Sequence, residues 1–362
     1  MKKRILSALC ISAMAVSLTA CGGSKEAAPV ETEAKTEAKE EAAEVPAEEK
    51  KEAEGGGKLI IYSPLTESMI DSMLSKFEED TGIEAECLAM GTGDALKRIQ
   101  TEAGSPQADV LWSGTIGTVK NKSEYFADYI CANEDAFYDE YKNTEGNLTR
   151  FDTIPSVIMV NTDLIGDIEI NGYEDLLNPE LKGKIAFADP AASSSSFEHL
   201  VNMLYAMGNG NPDNGWDYVK SLCGQLDGKL LGGSSAVYKG VADGEYTVGL
   251  TFEQGSAQYV AAGAPVKTVY MEEGVIFRGD GAYIIKDCPN EANAQKFLDW
   301  LTSKDIQEYM NNTQYRRTIR KDVPAGDAMV PMEDINVITD DETNTAEHKS
   351  EWLEQFKDIF TE

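Results

Sequence analysis

The residues best suited to chemistry in this chain are four consecutive serines, Ser193, Ser194, Ser195 and Ser196. They follow Asp189-Pro190, which ends a short apolar strand-like run at residues 185–188, and they open a stretch whose apolar spacing through Phe197, Leu200, Val201 and Leu204 is helical. Serine is a favoured N-cap, so one of the four is expected to start that helix. A helix start offers unpaired N–H groups and the positive end of the backbone dipole, and serine hydroxyls add donors at the same place. Such a constellation would hold an oxyanion; the alternative is a cap in a polar loop. A second candidate is Glu253, at the end of a strand-like run over residues 247–252. Its carboxylate would accept hydrogen bonds from ligand hydroxyls or pair with an ammonium group, unless it is simply an exposed strand-end acid. The third is the basic run Tyr315-Arg316-Arg317-Thr318-Ile319-Arg320-Lys321. Runs of this kind are usually solvated surface, and the alternative is that Arg316, Arg317 or Arg320 reaches a cleft and pairs with an anion.

Other chemistries find little support. The two histidines, His199 and His348, have no metal-ligand spacing, so no metal is expected. No Gly-x-Ser-x-Gly elbow occurs and no pair of carboxylates recommends itself for acid–base work, so an exported hydrolase is the weakest reading and no enzyme or cofactor is expected. Cys87, Cys131, Cys223 and Cys288 lack Cys-x-x-Cys spacing, and their pairing is open.

The elements that must position these residues alternate. Residues 58–62, 83–90 and 109–112 read as strands, and residues 68–81 and 94–103 as helices. Each strand ends in a small polar loop, carrying Ser63, then Thr92 with Gly93, then Ser113 with Thr115. Successive strand-to-helix units predict an open α/β sheet, in which ligands sit beyond the carboxyl ends of the strands. The three loops therefore belong to one cleft edge. Gly91-Thr92-Gly93 is not a dinucleotide fingerprint, because it lacks the third glycine and follows the wrong strand. Residues 153–161 are extended and apolar, as are residues 265–272 and 281–286; helices are expected at 212–226, 234–241, 290–301, 304–310 and 351–360.

The N-terminus carries an address. Met1-Lys2-Lys3-Arg4 precedes an apolar run too short to span a bilayer comfortably, ending in Leu18-Thr19-Ala20-Cys21. This resembles the bacterial lipobox, which implies cleavage after residue 20 and lipidation of Cys21. Residues 21–57 are dominated by Glu, Ala and Lys and close on three glycines, a composition that favours a disordered tether. The whole chain has a formal charge of −31, of which −28 falls on residues 58–362. A field that acidic repels nucleic acid and anionic lipid surfaces, so any anionic ligand needs local donors.

The segments LIIYSPLTESMIDSMLSKFEEDTGIEAE, ADVLWSG, LKGKIAFADPAASSSS, GEYTVGLTFEQG and NEANAQKFLDWLTSKDIQEYM, in that order, resemble the ferric-iron family of solute-binding proteins of bacterial ABC importers. The resemblance implies a two-lobe, type II periplasmic-binding-protein-like α/β clamshell with two crossing strands. It implies a first lobe over residues 58–157, a second over 158–265, a return over 266–310, and a helical segment packing on the lobes over 311–362. The partners it implies are a small solute and a membrane permease with its ATPase, served by a monomer lipid-anchored to the outer face of the cytoplasmic membrane. Ferric members hold iron with a histidine, a glutamate and two adjacent tyrosines, and at those places this sequence has Thr66, Gly114 and Gln254-Gly255. An amide and a glycine are no substitute for two phenolates. The sequence is more similar to relatives that bind phosphorylated sugars or phosphonates, with the serine run as the anion seat, Glu253 on ligand hydroxyls, and Ser63, Thr92, Gly93, Ser113 and Thr115 as the rim. Ferric iron, with or without a bound anion, is the alternative.

Overall fold

The structure is a computed structural model that describes residues 58–114 and 116–362. The signal peptide, Cys21, the tether and Thr115 lie outside the described residues. In chain order the elements are β1 (Leu59–Ser63), α1 (Glu67–Thr81), β2 (Ala85–Ala89), α2 (Thr92–Glu102), β3 (Val110–Trp112), α3 (Ile116–Lys120) and β4 (Thr149–Asn161). There follow β5 (Ile185–Ala186), α4 (Ser194–Met207), α5 (Trp216–Gln225), α6 (Ser234–Ala242), β6 (Val248–Phe252), α7 (Glu253–Ala261) and β7 (Val266–Val269). The last are β8 (Val275–Ile284), α8 (Glu291–Leu301), α9 (Lys304–Tyr309), β9 (Val337–Ile338) and α10 (Glu342–Thr361).

Hydropathy and caps account for the opening units. Met69, Ile70, Met73, Leu74 and Phe77 form one buried stripe of α1, and Gly82 ends the helix at φ 71°, donating its N–H to the Glu78 carbonyl. β1 runs parallel to both β2 and β3, so three strands deliver their carboxyl ends to one edge. Buried Asp109 secures this layer: its carboxylate accepts from the Ile60 and Asn290 N–H groups at 2.8 and 2.9 Å.

The strand order is β2-β1-β3-β8-β4-β6-β5, with β7 also on β4 and β9 on β8. The first half of β4 pairs antiparallel with β8, and its second half pairs with β6 and β7. β8 in turn pairs with β3. β4 and β8 are thus the two strands that cross between sheets, and a separate core lies on each side. The first core packs Trp112, Phe77 and Phe297, the last two rings edge to face at 5.2 Å. The second packs the apolar face of α4 and the end of β4 against α5 and, from α10, Trp352 and Phe356.

Several expectations need correction. Met271, Val275 and Ile276 belong to the second core and β7 to its sheet, so the return toward the first lobe begins within β8 rather than at residue 266. β8 starts six residues before the expected run, because Arg278, Gly279, Asp280 and Gly281 interrupt its apolar pattern while pairing with β4 holds it extended. Glu253 opens a helix that the sequence reading omits. α10 begins nine residues ahead of expectation: its first half lacks an apolar stripe, but the Asp341 carboxylate accepts from the Thr343 and Asn344 N–H groups at 3.0 Å each. Cys87, Cys131, Cys223 and Cys288 are free thiols.

Candidate functional site

Where the strands end, a cavity of ≈ 380 Å³ opens between the two cores. Thr66, Thr92 and Gly114 line it from the loops after β1, β2 and β3, and Ser194, Ser195, Ser234 and Gln254 line it from the other side. Ser156, Arg278 and Asp280 of the crossing strands form its floor together with Arg316. A larger groove of ≈ 740 Å³ beside Val260, Asn311 and the loop at 323–328 lies away from these strand ends.

The serine run divides its labour. Ser193 is the N-cap of α4, its Oγ accepting from the Ser196 N–H at 3.4 Å, and Ser196 is buried. Ser194 and Ser195, the first two helical residues, face the cavity. Cap and candidate anion seat are therefore neighbouring residues of one motif.

Other helices also start here. Thr66 is the N-cap of α1, Thr92 the first residue of α2, Ser234 the first of α6, Gln254 the second of α7, and Glu342 the first of α10; all line the cavity. Six helices of eight or more residues thus turn their positive ends toward one space.

The basic run is not solvated surface. Arg316, Arg317 and Arg320 are each more than nine-tenths buried. Arg316 reaches the cavity, and its Nη1 donates to Asp152 of β4 at 2.9 Å and to Asp280 of β8 at 3.1 Å. Its Nε is buried without a hydrogen-bond partner. Burial pushes Asp152 above the usual carboxylate range, and Asp280 adds to the rise while Arg316 opposes it. Arg320 is held by Asp322 and the Thr302 carbonyl instead. Arg278 pairs with Glu198 and Asp340. Burial likewise raises Glu198, against the pull of Arg278. Sequence reasoning misses Arg278 and Asp280, since a lone Arg-Gly-Asp in a polar stretch carries no period; only pairing with β4 places it in the cleft.

The remaining expected residues fare differently. Ser63 is fully buried and structural, donating to the Trp112 carbonyl at 2.7 Å and accepting from the Leu65 N–H. Gly93 is exposed and does not line the cavity. Ser113 lines it with a backbone φ of 73° and donates to Asp280 at 3.0 Å. Glu253 is not a cleft carboxylate. It is 1% exposed and committed to Arg317, whose Nε donates to it at 3.1 Å, and to the Tyr270 hydroxyl. As the first residue of α7 its side chain turns away from the cavity, which the next residue, Gln254, faces instead.

Of the positions that correspond to ferric ligands, Thr66, Gly114 and Gln254 line the cleft while Gly255 is buried beside Tyr238, and the two glycines leave little room for a larger side chain. Gly114 sits at φ 156° with Thr92 Cγ2 3.2 Å from where a Cβ would lie. A Cβ on Gly255 would come 2.6 Å from the Tyr238 ring. Among the described lining residues there is no tyrosine, histidine or cysteine.

Two cores, two crossing strands and a polar cleft at the strand ends define the type II periplasmic-binding-protein fold, in which a solute is held between lobes. The chain belongs to the family described as bacterial extracellular solute-binding protein, which matches residues 72–337. The iron uptake protein A1 of Synechocystis is 23% identical over 73% of this chain and 76% of its own length. Among solved structures, the periplasmic binding protein AfuA from Actinobacillus pleuropneumoniae, with fructose 6-phosphate bound, superposes at a TM-score of 0.71 with 23% identity, over 84% of this chain and 99% of that one. The apo ferric ion-binding protein A of Pasteurella haemolytica gives 0.70 with 18% identity, over 84% and 98%.

Proposed function

We propose that this protein captures a small organic anion, a phosphorylated sugar or a phosphonate, by closing its lobes, and delivers it to an ABC permease from a lipid anchor on Cys21. The observation that carries this reading is the convergence of six helix starts on one cavity that Arg316 also lines, its Nε unspent. Partial positive charge and N–H donors gathered in a partly water-excluded space are the means by which proteins bind phosphate oxygens. Lobe closure would be stabilised by contacts that the ligand makes to both sides at once.

Ferric iron is the second reading, favoured by relatives that carry that name. It requires several hard oxygen ligands; of the lining carboxylates Glu198 and Asp280 are already paired with arginines, which leaves Glu342 alone and no lining phenolate among the described residues. Isothermal titration of the full-length protein with sugar phosphates, phosphonates and a chelated ferric salt separates the two. Micromolar or tighter binding of a phosphorylated solute is expected. A visible charge-transfer band on adding Fe(III), with no heat from any phosphorylated compound, would overturn the proposal.

A further inference from the structure

Asp152 of β4 and Asp280 of β8 stand directly opposite each other in the antiparallel ladder of the two crossing strands, just after its register shifts. Like charges placed across a strand pair repel, and Asp152 is fully buried, so water does not screen it. The backbone adds one contact, the Asp280 N–H donating to Asp152 at 3.4 Å. A single guanidinium nitrogen, Nη1 of Arg316, then serves both carboxylates, at 2.9 and 3.1 Å. The neighbouring groups bring no spare positive charge. Ser113, after β3, donates a neutral hydroxyl to Asp280 at 3.0 Å. Arg278, two residues back along β8, is held by Glu198 and Asp340, and Arg317 by Glu253 and the Val330 carbonyl. One cation therefore answers to two acids.

Given the anion reading above, Arg316 is also the guanidinium that an oxyanion in the cavity would meet, through an Nε that has no hydrogen-bond partner. Its charge would then be divided among three anionic groups. Asp152 is the one best placed to become neutral. Burial already raises its proton affinity, Asp280 adds to the rise, and Arg316 is the main group that opposes it. An oxyanion that draws on Arg316 weakens that opposition.

We propose that Asp152 is a positioning residue for Arg316 that takes up a proton from solvent as the oxyanion binds, which frees the guanidinium to serve the ligand. Linkage fixes the sign: if binding takes up a proton, affinity for the anion falls as pH rises. Asparagine has the shape and the donor of the protonated acid, so Asp152→Asn stands for the neutral state at every pH. Titration calorimetry of the full-length protein with fructose 6-phosphate and with sulfate, from about pH 5.5 to about pH 8.5, compares the two. At the acid end wild type and variant should bind alike, within about threefold. At the alkaline end wild type should bind about tenfold more weakly than Asp152→Asn, and the ratio cancels any titration of the ligand itself. Wild-type titrations in buffers of different ionisation enthalpy near pH 7.5 should show up to about one proton taken up per anion bound. A variant that binds more weakly at every pH would make Asp152 a structural support and overturn the proposal, as would a ratio that does not change with pH. The proton count needs no variant, so an Asp152→Asn that fails to fold leaves it decisive: an anion bound by wild type with no proton taken up overturns the proposal and leaves the anion site standing. Binding of neither anion at any pH would overturn the anion reading and this proposal with it.

Discussion

Ser194 and Ser195 are the side chains whose loss should hurt binding and spare the fold. Capping rests on Ser193, and the buried member of the run is Ser196, so the double change Ser194→Ala/Ser195→Ala removes two hydroxyls from the cavity and, from the fold, only the 3.2 Å hydrogen bond between the Ser195 and Ser193 hydroxyls. Hydrogen bonds to a charged partner are worth about 2 kcal/mol each, so losing two should raise Kd for the phosphorylated solute several hundredfold, roughly 4 kcal/mol, by titration calorimetry, with Tm of the unliganded protein nearly unchanged. His199 illustrates the opposite balance, a polar residue used wholly for structure. It is fully buried, its Nε2–H donates to the Val157 carbonyl at 3.0 Å, and the Tyr173 hydroxyl donates to Nδ1 at 3.0 Å. Burial lowers its pKa from 6.5 to about 4, so the unfolded chain binds the proton more readily. Its contribution is complete above about pH 6.5 and is lost as pH falls toward 4, an upper limit of about 3 kcal/mol. Asp152 and Glu198, raised by burial, act in the opposite sense across that window, so the test is the difference between wild type and His199→Gln: the stability advantage of wild type in denaturant titrations should shrink as pH falls from about 6.5 toward 4.

At the level of elements, the strands and helices that the sequence discloses are those with a clear period. β1, α1, α2, β3, α4 and α8 follow from apolar spacing, and the cleft edge follows from the polar loops after the first three strands. What stays hidden has no period. β8 is held extended across its Arg-Gly-Asp-Gly stretch by long-range pairing with β4, so Arg278 and Asp280 cannot be placed in the cleft from sequence. Glu253 reads as a strand-end acid because the start of α7 is weakly amphipathic, and its partner Arg317 lies 64 residues away. The seating of α6 on β6 gives a test of how tightly these layers fit. A methyl group on Gly249 would lie 2.7 Å from Val241 Cγ2 and 2.9 Å from Val237 Cγ1. Gly249→Ala should therefore destabilise by about 1–3 kcal/mol through overpacking. Adding Val237→Ala should recover part of that loss, a coupling that denaturation of the single and double variants would measure.

At the scale of the whole molecule, the fold gathers backbone charge. Strongly acidic overall, the protein still turns six helix starts and two arginines into one cavity, so attraction for an anion is local and does not depend on net charge. β4 and β8 are the elements about which the lobes would close, and Arg316 bonds to both of them, through Asp152 and Asp280, at the cavity floor. An oxyanion on that guanidinium would thus be felt at the crossing strands. Small-angle scattering should show a decrease in radius of gyration on saturation with ligand, and an unchanged radius would contradict closure. The claim that organises the rest, a cleft built for a phosphate or phosphonate oxyanion, is tested most directly by thermal unfolding of the full-length protein against sugar phosphates, aminoalkyl phosphates, phosphonates and ferric salts. A ligand at 100 times its Kd stabilises by about 2.7 kcal/mol, which for a protein of this size is a shift of several degrees. The account requires such a shift with at least one phosphorylated compound, lost in Ser194→Ala/Ser195→Ala. A shift confined to ferric salts and indifferent to the serines would contradict it.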